Sequence, residues 1–177
     1  FRNDEVCRAF IDALAEARGR GVEVCVLLDG VGSGYFRTAV LRRLRSAKIS
    51  AQRFLHSWLP WRMPFLNIRN HKKLLIVDGK IGFTGGMNIG AEYSASPARG
   101  AQVKDIHVQL DGPIVSQLME SFAQDWSFTT DQVLHQEIWW PPIAPTGSIY
   151  ARGISSGPDA EINKLETLIG AALVLAR

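Results

Sequence analysis

The segment between His71 and Asn88 gathers the residue types that bind and transfer a phosphate group. Its fixed positions are, in chain order, His71, Lys73, Asp78, Gly85, Gly86 and Asn88. An imidazole can attack phosphorus, an ammonium stabilises negative oxygens as a point charge, and a carboxamide donates N–H groups to them. Glycines, which lack a Cβ atom, let the backbone approach a ligand closely. The spacing therefore predicts a phosphate site around this segment.

Strand geometry explains why the imidazole and the ammonium are two positions apart. Side chains alternate between the faces of a strand, so His71 and Lys73 project from the same face. Residues 74–77 are β-formers and predict a buried strand. Asp78 and Gly79 are typical of a hairpin turn, and residues 80–84 predict the returning strand. The strand parity points Asp78 away from the other two side chains, so we assign it a structural role at the turn.

Helices and strands alternate on either side of this hairpin. The predicted elements are a helix capped at Asn3 or Asp4 and ending near Arg18, strands over 22–28, 49–55 and 103–110, a helix over 35–47, and a helix that starts at Pro113. The last helix carries its apolar residues on one face, from Val115 to Trp126. This alternation predicts an α/β domain built in layers.

Composition narrows the function classes only weakly. A chain of 177 residues can form a domain with a proper core, and its net charge of +3 is compatible with anionic lipid or nucleic acid. Cys7 and Cys25 are too few for a disulfide framework and are interpreted as small buried thiols. No segment is long and apolar enough to cross a bilayer. The chain opens with Phe1 rather than Met, which we interpret as a fragment of a longer protein.

The segment 56–67 differs from its surroundings in composition. It contains two prolines and places Arg62 among aromatic residues between Trp58 and Phe65. Aromatic side chains beside a cation suit a membrane interface or the rim of a lipid site. A loop packed on its own domain is the alternative interpretation.

The motif and its surroundings resemble the phospholipase D superfamily, whose signature is called the HKD motif. The flanking runs, Arg-Asn-His-Lys-Lys over 69–73 and Gly-Gly-Met-Asn-Ile-Gly-Ala-Glu-Tyr over 85–93, resemble the bacterial cardiolipin synthase branch. The resemblance runs along most of the chain. It implies a layered α-β-α domain with a central mixed sheet. It also implies a peripheral catalytic domain on the cytoplasmic side of the bacterial membrane, acting on phosphatidylglycerol or a similar phospholipid.

The resemblance also implies a role for each motif residue. His71 is the nucleophile that carries the phosphatidyl group as a phosphohistidine, and Lys73 and Asn88 bind the phosphate oxygens. Gly86, and with it Gly85, lets the backbone approach the phosphate. No cofactor and no metal are predicted, because lysine and asparagine supply the electrostatics and lysine does not ligate metals at neutral pH.

An attacking imidazole needs a carboxylate that orients its other ring nitrogen. Asp105 is the first candidate, because it lies on the polar face of the predicted strand and related proteins have a carboxylate at about this distance. Glu92 is the second candidate. His107 shares the face of Asp105 and is a weaker candidate for the rim of the site.

The sequence pattern restarts after a proline-rich connector. We predict a first HKD domain over 1–140 that lacks its opening strand and helix, a linker over 141–147, and the opening strand and helix of a second, truncated HKD domain over 148–177. The family uses a second H-x-K histidine as acid and base, and this chain has none. The expected partner is a second half in the same protein or, as the weaker alternative, a homodimer, and the fragment alone is expected to be inactive.

Three functions remain open from the sequence. The first is a phosphatidyltransferase that makes cardiolipin. The second is a hydrolase of the same superfamily, acting on phospholipid or on nucleic acid, since the motif does not specify the acceptor. The third is a catalytically incomplete domain that only packs against a partner. The aromatic segment favours a lipid substrate over a nucleic acid.

Overall fold

A computed structural model of the chain describes residues 4–29, 39–54, 70–94, 102–155 and 164–176. The helices are α1 (Glu5–Gly19), α2 (Ala39–Ser46), α3 (Ile114–Thr130) and α4 (Lys164–Leu175). The strands are β1 (Cys25–Asp29), β2 (Ser50–Phe54), β3 (Leu74–Val77), β4 (Ile81–Gly85) and β5 (His107–Asp111). Short 3₁₀ turns occur at Ala91–Tyr93 and Glu137–Trp139. The predicted α/β class is confirmed.

The first half of the described chain is a parallel strand pair covered by helices. Strand β1 pairs with β2 in parallel, as expected for strands joined through a helix. The apolar side chains of α1, α2 and the two strands meet in one core, which contains Cys7, Ile11, Val26, Leu28, Val40, Leu44, Ile49 and Ala51. The side chain of Asp4 caps α1 by accepting from the N–H of Cys7 at 2.9 Å. The predicted cap is therefore confirmed at Asp4.

The motif lies on an antiparallel sheet with the strand order β3-β4-β5. Asp78 (φ 52°) and Gly79 (φ 63°) form a tight turn between β3 and β4, and the N–H of Lys80 donates to the carbonyl of Val77 at 3.0 Å. Two successive positive φ angles are typical of a type I′ turn, and the pairing of Val77 with Ile81 leaves three residues, 78–80, in the connection. The hairpin predicted from the sequence is confirmed, with its turn at the opposite end of β3 from His71.

Helix α3 connects the two sheets, because it contacts β2 on one side and all three strands of the antiparallel sheet on the other. Its inner face buries Val115, Met119 and Trp126, as the apolar spacing predicts. The rings of Phe54 on β2 and Phe128 on α3 lie 5.8 Å apart. Among the described residues, the parallel and antiparallel pairings therefore lie in two separate sheets that share one helix.

The strand predicted over 103–110 is shorter than expected and largely exposed. It begins at His107, so Asp105 lies on the irregular segment that leads into it. The side chain of Ile106 is 76% exposed and that of Val108 is 42% exposed. Strand β5 is the edge of its sheet, and the described part of the chain leaves this apolar side uncovered. The alternation therefore predicted the strand but placed its start four residues too early.

The strand predicted over 147–155 is also wrong, since this segment is irregular in the structure. A strand needs a partner, and here the backbone bonds to a side chain instead: the N–H of Gly153 donates to Gln117 of α3 at 2.8 Å. The helix predicted after it is confirmed as α4, whose side chains are exposed. The division of the chain into two HKD domains remains a prediction.

Two further interpretations concern the aromatic segment and a possible membrane span. The aromatic segment from Trp58 to Phe65 lies outside the described residues. Of the helices that the structure does describe, none combines the length and the apolar character that a membrane span requires.

Candidate functional site

His71 and Lys73 lie on the irregular segment that leads into β3. The first residue of that strand is Leu74. The ring of His71 is exposed to solvent. The ammonium of Lys73 donates to the main-chain carbonyl of His71 at 2.8 Å, so it is held beside the residue that carries the imidazole. The bond joins the ammonium to the backbone of His71, and the shared face of the two side chains remains a prediction.

The strand pairing relates His71 to the second half of the motif. The β3–β4 register sets Leu74 opposite Thr84, and the β4–β5 register sets Gly85 opposite His107. The N–H of Gly86 donates to the carbonyl of Ile106 at 3.0 Å, which extends the second pairing by one residue. Continued in the same register, the pairings place His71 and Asp105 on the two sides of Met87.

Asp105 packs directly against the backbone of Gly86. A Cβ atom on Gly86 would overlap both carboxylate oxygens of Asp105. The carboxylate accepts from the N–H of Ile106 at 2.7 Å, a bond within its own segment that fixes its direction. The structure therefore brings Asp105 to the glycine pair of the motif, and its orienting bond to His71 remains a prediction.

His107 lies against the first glycine of the pair. A Cβ atom on Gly85, which has a φ of +155°, would lie 2.6 Å from the Cα of His107 and 2.9 Å from its Nδ1. The imidazole of His107 is exposed to solvent. Its role at the rim of the site remains a prediction.

Asn88 and Glu92 lie in the loop that follows the glycines. The amide Nδ2 of Asn88 donates to the hydroxyl of Tyr93 at 3.1 Å, which orients the carboxamide. The second N–H of this amide can donate to a ligand. The main-chain carbonyl of Glu92 accepts from Val103 at 2.8 Å, and its carboxylate folds over Gly90. This contact gives Glu92 a role in shaping the loop.

Asp4 connects this loop to the start of α1. Its Oδ1 caps the helix at Cys7, and its Oδ2 accepts from the N–H of Ala91 at 2.7 Å. Burial acts to raise the pKa of Asp4, but backbone hydrogen bonds, among them those from Cys7 and Ala91, hold it below its ordinary value. The carboxylate is therefore charged at neutral pH and fixes the loop that carries Asn88.

Asp125 on α3 is a site neighbour that the sequence interpretation did not identify. Its carboxylate accepts from Nζ of Lys72 at 2.9 and 3.0 Å and from Nδ2 of Asn70 at 2.8 Å. The signal in the sequence was a carboxylate on the same helical face as Leu118 and Phe122, because an acidic side chain among apolar ones needs a partner. Its partners are the residues before and after His71.

The described part of the chain offers little to other kinds of chemistry. It contains no group of three or more His, Cys, Asp or Glu side chains that could hold a metal ion. Burial raises the pKa of the Cys25 thiol to about 11 and also raises that of Cys7, so neither is a thiolate at neutral pH. The motif residues supply positive charge, N–H donors and an exposed histidine.

The chain is similar to known proteins along most of its length. The family described as "Cardiolipin synthase, PLD-like domain" matches residues 2–126. A cardiolipin synthase of Staphylococcus aureus (strain Mu50) is 34% identical over 168 residues, which are 94% of this chain and 34% of that protein.

Two further relatives give the same result. A cardiolipin synthase of Alkalihalophilus pseudofirmus is 35% identical over 167 residues, 92% of this chain and 33% of its own length. Cardiolipin synthase A of Pseudomonas putida (strain W619) is 35% identical over 159 residues, 89% of this chain and 33% of its own length. The chain therefore spans about a third of the length of the curated relatives it matches.

Proposed function

The chain belongs to the cardiolipin synthase, phospholipase D-like domain family, and from this premise we propose that it forms half of the active site of a phosphatidyltransferase. The reaction moves a phosphatidyl group from one phospholipid to another and yields cardiolipin. The observation that carries the proposal is the intact motif, with Lys73 bonded to the backbone of His71 and Asp105 packed on Gly86.

In the first step, His71 attacks the phosphorus of phosphatidylglycerol. A bond forms between a ring nitrogen and phosphorus, and the bond from phosphorus to the headgroup glycerol oxygen breaks. The leaving glycerol takes a proton from an acid, and the phosphatidyl group stays on His71 as a phosphohistidine. Lys73, Asn88 and the backbone at Gly86 stabilise the nonbridging oxygens, whose charge is greatest in the transition state.

In the second step, the headgroup hydroxyl of another phosphatidylglycerol attacks the phosphohistidine. This hydroxyl gives its proton to a base, the phosphorus–nitrogen bond breaks and cardiolipin leaves. The acid of the first step and the base of the second can be one residue, by microscopic reversibility. H-x-K occurs once in the 177 residues, so we assign the acid and base to a second HKD half of the same protein, with a second copy of the chain as the alternative.

The orientation of His71 completes the proposal. Asp105 is the proposed partner of the second ring nitrogen, because its carboxylate packs on Gly86 of the motif. His107, with its ring against Gly85, is placed to line the path of the headgroup. The substrate face is the open surface of the motif, which suits a peripheral domain on the cytoplasmic face of the bacterial membrane.

The test is a thin-layer analysis of products formed by the full-length protein from phosphatidylglycerol in mixed micelles. Cardiolipin and glycerol are expected from the unsubstituted protein, and a loss of at least about 10⁴-fold is expected for His71→Ala, because a nucleophile is removed. Unaltered cardiolipin formation by His71→Ala would contradict the nucleophile assignment. Phosphatidic acid as the sole lipid product would instead identify a hydrolase of the same superfamily.

A further inference from the structure

Two side chains flanking His71 are bonded to a single carboxylate on a different element. Asn70 Nδ2 donates to Asp125 Oδ2 at 2.8 Å, and Lys72 Nζ donates to both carboxylate oxygens at 3.0 and 2.9 Å. The N–H of Lys72 also donates to the side-chain oxygen of Asn70 at 3.1 Å, which closes the cluster. The cluster therefore joins the chain on both sides of His71 to helix α3.

This cluster has a specific consequence for the nucleophile. Residues 70–73 precede the first paired residue of β3, so the strand ladder does not fix their backbone. Asp125 is attached to the longest helix of the described chain, between the buried Trp126 and the half-buried Phe122. The carboxylate thus supplies the rigid support that the ladder does not.

The cluster also gives the neighbouring lysines, Lys72 and Lys73, different surroundings. The side chain of Lys72 is 29% exposed and that of Asp125 is 16% exposed, so their ion pair is shielded from much of the solvent. Side chains two positions apart share a side of an extended segment, so fixing Asn70 and Lys72 toward α3 leaves His71 and Lys73 for the opposite side. Lys73 is then the lysine that meets the substrate.

We infer that Asp125 is a positioning residue, which acts on the reaction through Asn70 and Lys72 by holding the His71 segment in its attacking geometry. The inference rests on the proposed function, since it needs His71 to be the nucleophile. Displacement of a reacting group by about 1 Å can cost roughly 100-fold in rate. Loss of the carboxylate is therefore expected to slow the chemical step and to leave substrate binding nearly unchanged.

The experiment measures a single turnover of the full-length protein, in excess over radiolabelled phosphatidylglycerol in detergent micelles. Because the protein is in excess, the folded fraction of each variant is measured separately by circular dichroism, and the rate constant of phosphohistidine formation reports the geometry of the folded molecules. For Asp125→Asn we expect a rate constant lower by about 10- to 100-fold with at least half of the protein folded. Asp125→Glu, which restores the charge, is expected to recover part of the rate.

Two further variants keep the inference testable if Asp125→Asn folds poorly. Lys72→Met removes one arm of the cluster and is expected to lower the rate constant by less, and adding Asp125→Asn to it should cost less than in the unsubstituted protein. Glu120→Gln, on the exposed face of the same helix, is the matched control and should leave the rate constant and the folded fraction unchanged.

The outcomes separate this inference from the proposed function. Equal rate constants in Asp125→Asn and the unsubstituted protein, whatever the folded fraction, would overturn the positioning role while the transfer reaction stands. Absence of phosphohistidine in the unsubstituted protein would overturn the proposed function and this inference together.

Discussion

Gly85 and Gly86 are adjacent in the motif, but each packs against different neighbours. At Gly85 an added Cβ would overlap the main-chain oxygen of Ile106, and the φ of +155° is one that other residues rarely adopt. At Gly86 the three atoms nearest to an added Cβ all belong to the carboxylate of Asp105, which is the end of a side chain that can rotate. The first glycine is therefore required by the fold, and the second by the position of Asp105.

Substitution of these glycines by alanine should separate stability from activity. Gly85→Ala is expected to cost about 1–3 kcal/mol of unfolding free energy, because the backbone is strained and a main-chain contact is lost. Gly86→Ala is expected to cost less than about 1 kcal/mol but to reduce phosphatidyl transfer strongly, since Asp105 must move. Urea unfolding and the product assay measure the two effects. A Gly86→Ala variant with full activity would exclude a role for Asp105 in the position observed here.

Asp4 makes the loop of Asn88 sensitive to acid. Its pKa is lowered in the folded chain, so the carboxylate contributes stability above its unfolded value near 3.8, and this contribution is lost as the pH falls through the lower folded value. Asp4→Ala should cost about 1 kcal/mol at pH 7, and this cost should shrink below pH 4. Asp4→Asn keeps a helix cap but offers one oxygen to two N–H groups, so it should lose only part of this unfolding free energy. Urea unfolding at pH 7 and pH 3 tests this. A cost independent of pH would show that the charge of Asp4 is irrelevant.

At the scale of elements, the β3–β4 hairpin depends on the irregular segment that follows α3. The turn residue Gly79 is buried beneath Pro141: an added Cβ would lie 2.5 Å from Cδ of Pro141 and 3.0 Å from the carbonyl oxygen of Trp139. The proline-rich connector is thus packed on the turn at this point. Further along the chain, Thr146 lies against Gly112, and the N–H of Gly153 donates to Gln117.

A double substitution can measure this packing. Gly79→Ala should destabilise the protein by about 1–3 kcal/mol through the positive φ and the clash with the proline ring. Pro141→Ala removes the ring carbons that cause the clash, so the double variant should be more stable than the sum of the two single changes predicts. The φ penalty at position 79 remains in both backgrounds. Strictly additive unfolding free energies would show that Pro141 does not rest on the turn in solution.

Local patterns predicted the elements better than the contacts between them. The Asp78-Gly79 turn, the cap at Asp4 and the apolar face of α3 follow from residues within a few positions of one another, so the sequence contains their cause. The bonds that hold Asn70 and Lys72 depend on the carboxylate of Asp125, which is 55 and 53 positions away in the sequence, respectively. No local sequence pattern predicts such a pairing, because it forms only where α3 packs close to β3.

Burial was predicted less well than the elements themselves, for a related reason. The alternation of apolar residues around Ile106 indicates which side of β5 would be covered if something lay there. In the described residues, the side chain of Ile106 remains 76% exposed, and that of Leu173 on α4 remains 73% exposed. Whether an apolar face is buried depends on the neighbouring element, which a single segment of sequence does not encode.

At the scale of the whole molecule, the motif surface is open, with His71, Asn88, Asp105 and His107 all exposed among the described residues. Phosphoryl transfer benefits from a site closed to water, where electrostatic interactions are stronger. A second HKD half laid over this surface would exclude solvent and bring the proton donor to the leaving glycerol. The chain matches only about a third of its relatives, which is compatible with such a partner.

The 177-residue chain alone should therefore turn over slowly. A positioned acid contributes about 10²–10⁴-fold, so we expect transfer by the isolated chain to fall short of the full-length protein by at least that factor. The dependence on protein concentration distinguishes the two possible partners. If two copies pair, the activity per chain should rise with concentration, whereas a missing second half leaves it low throughout. The same chain with His71→Ala supplies the background rate. Activity equal to that of the full-length protein, and first order in the chain at low concentration, would mean that one HKD half already contains its acid and base, and His107 would then be the first residue to test.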